Sequence, residues 1–563
     1  MNTLRSDFRK GQTLLDYFYY WEQQQPKKVY LRQPEDDRYR DYTWREVGKQ
    51  ARTLASYLNS LNLPPKSNIG LISKNCAHWI IADLAILLSG HVSVPFYPTL
   101  TASQLHQVVS HSGCEVLFVG KLDKWAEMKV GVPKTMHCIA FPPLVSAAPP
   151  DPDHAQWDDI LARFEPMTDN PQPHSDDLFT IVYTSGTTGS PKGVMMPYKA
   201  MISAIDSTKP LMGIDVPDPR FFSYLPLCHV AERNIVEALS LITGGTVYFV
   251  ESMATFARNL AVARPTHFLG VPRIWLKFQQ NILAKIPQGR LDQLLKIPLI
   301  SGFIKRKLRT ALGLNDARII LTGAAPTPVA LIRWFRQLGI TIQEAYGMTE
   351  NLGVVSLMHA NVIKDGTVGM LYSGIQVKFD PVTGELLTRS DWTMRGYFRE
   401  PEMTAAALDS DGWLHTGDVG KLDDDGFLTI TGRVKEIYKT TKGEFVAPAQ
   451  IETGFADNTF VDQICVAVQQ LPQPIALIVL SETGLKADKN VVSQSLEETI
   501  KALNPNLHTY QRVKKAVIVK EPWTVDNDMM TPSLKIKRRI IESRYEPHLQ
   551  PWFEREEMVI WEG

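Results

Sequence analysis

The chain is 563 residues long, several times the size of a typical domain, so at least two folding units are expected. Hydrophobic residues make up 44% and charged residues 21%, close to the averages of globular proteins, which excludes a disordered or fibrous chain. Sixty basic and sixty acidic side chains cancel, so no global field favours nucleic acid, and we expect none as a partner.

Cysteine usage and apolar stretches indicate where the protein works. The five cysteines are an odd number without CxxC pairing or metal-ligand spacing, which fits free thiols in a reducing compartment. The N-terminus lacks the features of a signal peptide, and the longest apolar region, 79–96, is too interrupted to span a bilayer of about 30 Å. We predict a cytoplasmic enzyme that can at most sit peripherally on the inner membrane face. The sequence leaves open whether the protein forms a homodimer.

Short β-branched and aromatic runs alternate with longer helical patterns, which predicts an α/β fold with parallel sheet and crossover helices. Each run ends near Gly, Ser or Pro, so the chemistry is expected where strands lead into loops. The Pro- and Asp-rich stretch 147–177 is interpreted as a surface crossing between subdomains. The runs that carry the strand prediction are 178–184, 246–250, 266–271 and 317–323.

The type of predicted secondary structure changes in the last third of the chain. After Asp380, hairpin turns at Gly384 and Gly426 predict a small antiparallel unit, which we expect to be a β-barrel subdomain. The acidic triplet 423–425 fits a solvated turn and is given no function. We predict a large N-terminal domain, 1–434, of mixed and parallel sheets, and a small mobile α+β C-terminal domain, 435–563.

The loop 183–193 combines hydroxyls, glycines and one lysine directly after a predicted strand, as a phosphate-binding loop requires. Glycines let backbone N–H groups approach phosphate oxygens, hydroxyls donate hydrogen bonds, and the lysine neutralises charge. The spacing is not that of a Walker A loop, and the alternative is a flexible linker. The candidate nucleotide ligands are Thr184, Ser185, Gly186, Thr187, Thr188, Gly189 and Lys192.

Four further motifs follow in order, TGAAP (322–326), YGMTE (346–350), WLHTGD (413–418) and GRVKE (432–436). With the loop, they make the sequence resemble the adenylate-forming superfamily of acyl-CoA synthetases, firefly luciferases and peptide-synthetase adenylation domains. The resemblance covers nearly the whole chain. It implies that ATP, Mg²⁺ and coenzyme A are used.

The resemblance assigns roles at the nucleotide. Thr349 would meet the α-phosphate, and Glu350 and Thr187 would hold magnesium, since a carboxylate near triphosphate needs a cation between them. Asp418 would accept hydrogen bonds from both ribose hydroxyls, although a capping aspartate in a turn is the alternative. The residues implied beside adenine are Gly323, Ala324, Ala325, Tyr346 and Gly347.

The resemblance also implies that the small domain moves. Arg433 would lie near ribose and phosphate, and Lys435 would be the hinge, with an ordinary surface Lys–Glu pair as the alternative. Rotation about the hinge would bring the loop 440–444, including Gly443, to a pantetheine tunnel.

The segment 531–538 corresponds to the superfamily's catalytic lysine motif, with Lys535 as the match. It departs from the commonest pattern, because Leu534 replaces the usual glycine and a second lysine, Lys537, follows. The alternative is an ordinary exposed basic strand or helix.

Three segments, 224–233, 270–275 and 523–532, resemble long-chain fatty acyl-CoA synthetases. In that group His229 would lie near the carboxylate and Trp275 would gate the fatty-acid tunnel, the alternatives being a core histidine and a packed core tryptophan. Cys228 beside His229 is interpreted as inert packing rather than thiol catalysis.

The sequence therefore predicts ATP-dependent activation of a long-chain fatty acid to acyl-AMP, followed by transfer to coenzyme A. Two related enzymes stay open, an acyl-AMP ligase that loads a carrier protein and a CoA ligase for aromatic or branched acids. A catalytically degenerate nucleotide-binding protein is a different class. The set Lys192, Glu350, Asp418, Arg433 and Lys535 at the motif positions argues against it.

Overall fold

The computed structural model describes residues 11–563 apart from 37, 145–146, 185–191, 437, 442–443 and 532–534. An eight-stranded sheet holds the phosphate-loop hairpin near one edge and is mainly parallel elsewhere. Its strands, in spatial order, are Gly396–Tyr397, Lys192–Pro197, Leu178–Thr184, Val92–Phe96, Asn68–Ile72, Val116–Val119, His137–Ala140 and Ala155–Gln156.

A nine-stranded sheet shares a core with the first and is parallel through its middle. The predicted strands 246–250, 266–271 and 317–323 lie in it side by side with others of the same direction, so the α/β prediction is confirmed. Its strands, in spatial order, are Met370–Leu371, Ser356–Leu357, Gln343–Tyr346, Ile319–Thr322, His267–Leu269, Arg220–Ser223, Thr246–Phe249, Val29–Glu35 and Arg38–Thr43.

One buried core joins the two sheets. The helix Ala77–Leu88 is apolar around almost its whole circumference and every one of its residues is buried, as expected for a helix enclosed by other elements. Phe118 of the first sheet and Val247 of the second belong to the same apolar cluster as this helix. The longer helices of this part are Leu14–Gln24, Trp44–Ser60, Ala77–Leu88, Ala102–Ser112, Trp157–Arg163, Tyr198–Thr208, Phe256–Ala263, Pro272–Leu283, Gln288–Lys296, Pro298–Ala311, Val329–Gln337 and Pro401–Ala407.

The stretch 147–177 is not purely a surface crossing. It contains the short helix Trp157–Arg163, and Trp157 is 1% exposed in the main core. The Pro- and Asp-rich flanks dominated the sequence pattern and concealed this buried anchor.

The predicted antiparallel unit is present, with Gly384 and Gly426 at positive φ of 70° and 83° in its turns. Asp423 accepts backbone N–H bonds within the second turn, as a solvated acidic turn should. The unit is a four-stranded sheet whose strands, in spatial order, are Gln376–Phe379, Glu385–Arg389, Leu414–Leu422 and Leu428–Arg433.

The last part of the chain forms a separate α+β unit around a mixed sheet with an apolar core on each face. Its strands are Val461–Ala467, Ile475–Leu480, Lys515–Ile518 and Val559–Trp561, and its longer helices are Lys489–Leu503 and Arg538–Glu554. Within the described ranges, no helix combines the length and apolar character needed to cross a membrane.

Candidate active site

The phosphate loop is held by an antiparallel strand pair. Thr184 pairs with Lys192 across the hairpin, so the chain leaves and re-enters the sheet at one point. Lys192 Nζ lies 5.1 Å from the centre of the Tyr397 ring, and burial lowers the pKa of this lysine. Five predicted ligands lie outside the described residues: Ser185, Gly186, Thr187, Thr188 and Gly189.

Glu350 sits on the short helical turn Thr349–Asn351, and both it and Thr349 are buried. The Tyr397 hydroxyl donates a 2.7 Å hydrogen bond to Glu350 Oε1, and burial beside this carboxylate raises the pKa of Tyr397. Sequence reasoning missed Tyr397, which no motif marks. It is brought to the site because its strand pairs with the strand that begins at Lys192.

Mg²⁺ in nucleotide sites is usually held by one or two carboxylates together with substrate phosphates. A buried Glu350 close to Lys192 and to the phosphate-loop hairpin is suited to that arrangement. The described residues contain no cluster of three or more carboxylate, histidine or cysteine ligands.

Asp418 is fixed from two sides. Tyr346 Oη donates to Asp418 Oδ2 at 2.6 Å, and Arg433 Nε donates to Asp418 Oδ1 at 2.8 Å. Asp418 and Arg433 are cross-strand partners, which explains their proximity despite their separation in sequence. Each carboxylate oxygen keeps a second lone pair for a further donor, as the predicted ribose contact would need.

On the predicted adenine side of the site, neighbouring backbone segments approach two glycines closely. A Cβ at Gly323 would lie 2.7 Å from the carbonyl oxygen of Ala345, and one at Gly347 would lie 2.2 Å from the carbonyl carbon of Gly353. Ala324 has a positive φ of 65°, and it and Ala325 are exposed. The two glycines are therefore required by the packing of neighbouring backbone, whereas Ala324 and Ala325 remain accessible on the cleft-side loop.

Lys535 comes from the C-terminal unit to the same cleft. Its pKa is lowered by the surrounding protein and then by Arg433, while Asp418 and Glu350 oppose this effect. The side chain keeps solvent access along the open cleft, although protein surrounds its ammonium group. Lys537 instead pairs with Asp528 of its own domain.

His229 caps the short helix Val230–Glu232 and also faces Lys535. Its Nδ1 accepts the backbone N–H of Ala231 at 3.2 Å, so the neutral ring carries its proton on Nε2. Burial, and then the charge of Lys535, lower the pKa of His229 to about 4. The ring is therefore a neutral donor near pH 7.

A buried charged network holds the segment after His229. Arg233 Nη2 lies 2.6 Å from both oxygens of Asp83, and its Nε lies 3.0 Å from Glu237. Glu232 accepts the backbone N–H of Tyr224 at 2.8 Å, and burial raises the pKa of Glu232 to about 8. Asp83 lies 150 positions from Arg233, so sequence reasoning had no signal for this contact.

Trp275 is fully buried. Its indole N–H donates to the carbonyl of Gly270 at 2.8 Å, and its ring meets Phe268, Phe278 and Phe335 edge-on. This packing fits both interpretations of Trp275, a closed gate of a fatty-acid tunnel and an ordinary core tryptophan.

Two predicted residues concern the hinge and its loop. Lys435 lies in the helical turn Val434–Glu436 between the antiparallel unit and the C-terminal unit, close enough to Lys192 to influence it electrostatically. Gly443 lies outside the described residues. Across the cleft, Arg273 Nη2 contacts Asp462 at 2.9 Å and Lys124 Nζ contacts Asp526 at 3.4 Å.

Comparison with known families identifies the class of protein to which this site belongs. A family model described as AMP-binding enzyme matches residues 18–398, and one described as AMP-binding enzyme C-terminal domain matches residues 436–557. The chain therefore belongs to the family of AMP-binding enzymes, and the resemblance to the adenylate-forming superfamily is confirmed.

Individual relatives within this family are named as fatty acyl-CoA ligases or synthetases. Long-chain-fatty-acid–CoA ligase FadD15 of Mycobacterium bovis is 30% identical, over 95% of this chain and 96% of the relative. Fatty acyl-CoA synthetase A of Dictyostelium discoideum is 28% identical over 90% of this chain and 85% of its own length. Long-chain-fatty-acid–CoA ligase 5 of Rattus norvegicus is 28% identical over 92% and 84%.

Solved structures support the fold. The adenylation domain of a carboxylate reductase from Mycobacterium chelonae superposes with a TM-score of 0.78 at 21% identity, covering 97% of this chain and 92% of that one. The anthranilate CoA ligase AuaEII in complex with anthranoyl-AMP gives 0.76 at 19% identity, covering 96% and 99%. At these identities the likeness concerns architecture alone.

Proposed function

We propose that this protein converts a long-chain fatty acid, ATP and coenzyme A into acyl-CoA, AMP and pyrophosphate. The observation that carries the proposal is convergence. Arg433, Asp418 and Glu350 of the large unit all lie close enough to Lys535 of the C-terminal unit to act on its pKa, and Asp418 is hydrogen-bonded to Arg433.

The first step would be attack of the carboxylate on the α-phosphorus of ATP, forming a P–O bond and releasing pyrophosphate. Two anions approach each other in this step, so positive charge fixed in advance lowers the barrier. Lys192 and Lys535 would supply that charge from opposite structural units. Magnesium bound with ATP would neutralise phosphate charge beside Glu350.

Nucleotide orientation would come from Asp418 and His229. The Asp418 carboxylate is already fixed by Tyr346 and Arg433, so it can receive ribose hydroxyls without losing much side-chain freedom. The Nε2–H of His229 can donate to a carboxylate or phosphate oxygen while its ring stays neutral.

In the second step the thiol of coenzyme A would attack the acyl carbonyl, and AMP would leave as the C–S bond forms. Lys535 has no further task at the phosphate in this step. Rotation of the C-terminal unit about Lys435 would remove it and open the cleft to the thiol. The contacts across the cleft are solvent-exposed ion pairs, which are individually weak, at about 0–1 kcal/mol, and so permit such a rotation.

The fatty acid and the thiol acceptor are supported by the curated relatives, whose names include long-chain fatty acids and CoA. The aromatic cluster around Trp275 is apolar and would have to open to admit an acyl chain. A carrier protein as acceptor and an aromatic acid as substrate are the rival assignments.

A substrate panel tests the proposal. Free acids from short to long chain, together with benzoate and branched acids, are incubated with ATP, Mg²⁺ and either coenzyme A or a phosphopantetheinylated carrier protein. We expect AMP release to require a long-chain acid and thioester to form on coenzyme A. Thioester on the carrier alone, or a preference for aromatic acids, would contradict the assignment.

A further inference from the structure

The helix Pro298–Ala311 exposes large apolar side chains to solvent. Leu299 is 92% exposed and Phe303 is 66% exposed, one helical turn apart on the same side. Ile297 and Ile300 at the start of the helix are 46% and 39% exposed. Contiguous exposed apolar side chains of this size commonly mark an interaction surface.

The opposite side of the helix is firmly packed. Ser301 is buried, and Ile304 and Leu308 pack on the aromatic core that also contains Trp275. The spacing places Leu299 and Phe303 away from this core. The exposure of Leu299 and Phe303 thus follows from the way the helix packs on the protein core.

Positive charge accompanies the apolar residues. No acidic residue occurs between 293 and 315, although the whole chain carries as many acidic as basic residues. Arg306 and Lys307 are exposed at the next turn after Phe303, and neither forms an ion pair with a described residue. The basic residues of the segment are Lys296, Lys305, Arg306, Lys307 and Arg309.

We propose that this apolar–basic surface, residues 296–309, docks on an anionic lipid bilayer. Leu299 and Phe303 would enter the interface between head groups and acyl chains, and the exposed Arg306 and Lys307 would contact lipid phosphates. Apolar and aromatic residues beside Lys and Arg are the composition that favours binding in the plane of a charged membrane.

Two other occupants suit the surface less well. A nucleic acid would use the basic residues but has no need of an exposed leucine and phenylalanine directly before them. A second copy of the chain could cover Leu299 and Phe303, but its equivalent surface offers no acidic partner for the basic residues, because no acidic residue occurs between 293 and 315.

This inference goes beyond the proposed reaction, because docking requires neither ATP nor turnover. The helix lies over the same aromatic core as Trp275, so docking would place the bilayer on that side of the molecule. An acid with a long chain resides mainly in membranes, and such docking would bring enzyme and substrate together.

Cosedimentation with vesicles tests the proposal. Full-length protein without nucleotide is mixed with vesicles of phosphatidylcholine alone or of phosphatidylcholine with phosphatidylglycerol. We expect the unaltered chain to bind the mixed vesicles. Leu299→Glu/Phe303→Glu should weaken this binding by at least about tenfold. Arg306→Glu/Lys307→Glu should weaken it by a comparable factor, and its difference from the unaltered chain should shrink as salt is added. Val382→Glu, at a turn residue that is 90% exposed elsewhere, is the matched control and should bind as the unaltered chain does.

Equal binding by all variants, or no binding by the unaltered chain, would overturn the proposal. A dimer in gel filtration that Leu299→Glu/Phe303→Glu disperses, without any vesicle binding, would also overturn it and assign the surface to self-association. AMP release with a long-chain acid delivered on serum albumin, measured without vesicles, reports the proposed reaction separately. It should be unchanged in all these variants.

Discussion

Two lysines only two positions apart have different surroundings. Lys535 faces Arg433, Asp418 and Glu350 across the cleft, whereas Lys537 is tied to Asp528 of its own unit. This difference favours Lys535 over Lys537 as the lysine that could contact a phosphate, the register that the sequence left open. The assignment of a catalytic role to Lys535 is tested by its removal.

We expect Lys535→Ala to slow acyl-AMP formation by about 100-fold or more, because a prepositioned charge at the transition state is lost. Conversion of preformed acyl-AMP to thioester should be nearly unchanged. Pyrophosphate exchange and single-turnover thioester formation measure the two halves. Lys537→Ala is the control, and equal loss in both halves for Lys535→Ala, or a larger loss for Lys537→Ala, would contradict the assignment.

Asp418 offers a second substitution with a matched control. Asp418→Ala removes a carboxylate that accepts charge-assisted bonds, so we expect ATP affinity to fall by about tenfold to 100-fold. Isothermal titration with ATP measures this change. Asp423→Ala, in an exposed turn, should leave ATP affinity unchanged, and similar losses in both variants would argue against a ribose site at Asp418.

The strand Arg220–Ser223 and the helical segment after it enclose Glu232, which makes stability depend on pH. Its pKa is raised from 4.5 in an exposed chain to about 8 by burial, so the folded state binds the extra proton between these values. Stability from this group is complete below pH 4.5 and is lost as the pH rises through 8.

We expect Glu232→Gln to remove this loss, because the amide keeps the acceptor for Tyr224 without a charge. The variant should gain stability relative to the unaltered chain from pH 5 to pH 9, by on the order of 3 kcal/mol. Urea unfolding at several pH values measures it. A stability difference that does not vary with pH would contradict the explanation.

Secondary structure elements show how far the sequence leads. The run 178–184 is a strand with the bounds that its residues indicate, because β-branched residues and the following loop both signal it. The turns at Gly384 and Gly426 were equally readable, since their backbone requires a positive φ. Local chemistry suffices where the signal lies within a few residues.

Long-range contacts explain what was missed. Tyr397 reaches Glu350 through strand pairing with a segment about 200 positions earlier, and Asp83 reaches Arg233 across the core. Neither contact leaves a periodicity or a motif. The buried Trp157 was hidden because the Pro- and Asp-rich residues around it resemble a surface loop.

In the molecule as a whole, Lys535 of the C-terminal unit lies near Asp418 and Glu350 of the large unit. If it acts in the first half-reaction as proposed, the second half-reaction would depend on movement between the units. The helical turn Val434–Glu436 joins them. We expect Lys435→Pro, which restricts φ and removes an N–H group, to keep acyl-AMP formation within about threefold and to slow thioester formation by on the order of 100-fold.

Lys435→Ala separates the loss of charge from the loss of backbone freedom. Both half-reactions should survive in this variant, measured by the same single-turnover methods as for Lys535. If proline slows both halves equally, or alanine reproduces its effect, the hinge is not at this position.

Transfer of oxygen from the fatty acid to AMP tests the reaction most directly. A long-chain acid labelled with ¹⁸O in its carboxylate is incubated with the enzyme, ATP, Mg²⁺ and coenzyme A, and the products are analysed by mass spectrometry. Attack of the carboxylate on the α-phosphorus predicts one labelled oxygen in the phosphate of AMP for each acyl-CoA formed. Label in inorganic phosphate together with ADP, or unlabelled AMP, would contradict an acyl-adenylate and with it the proposed function.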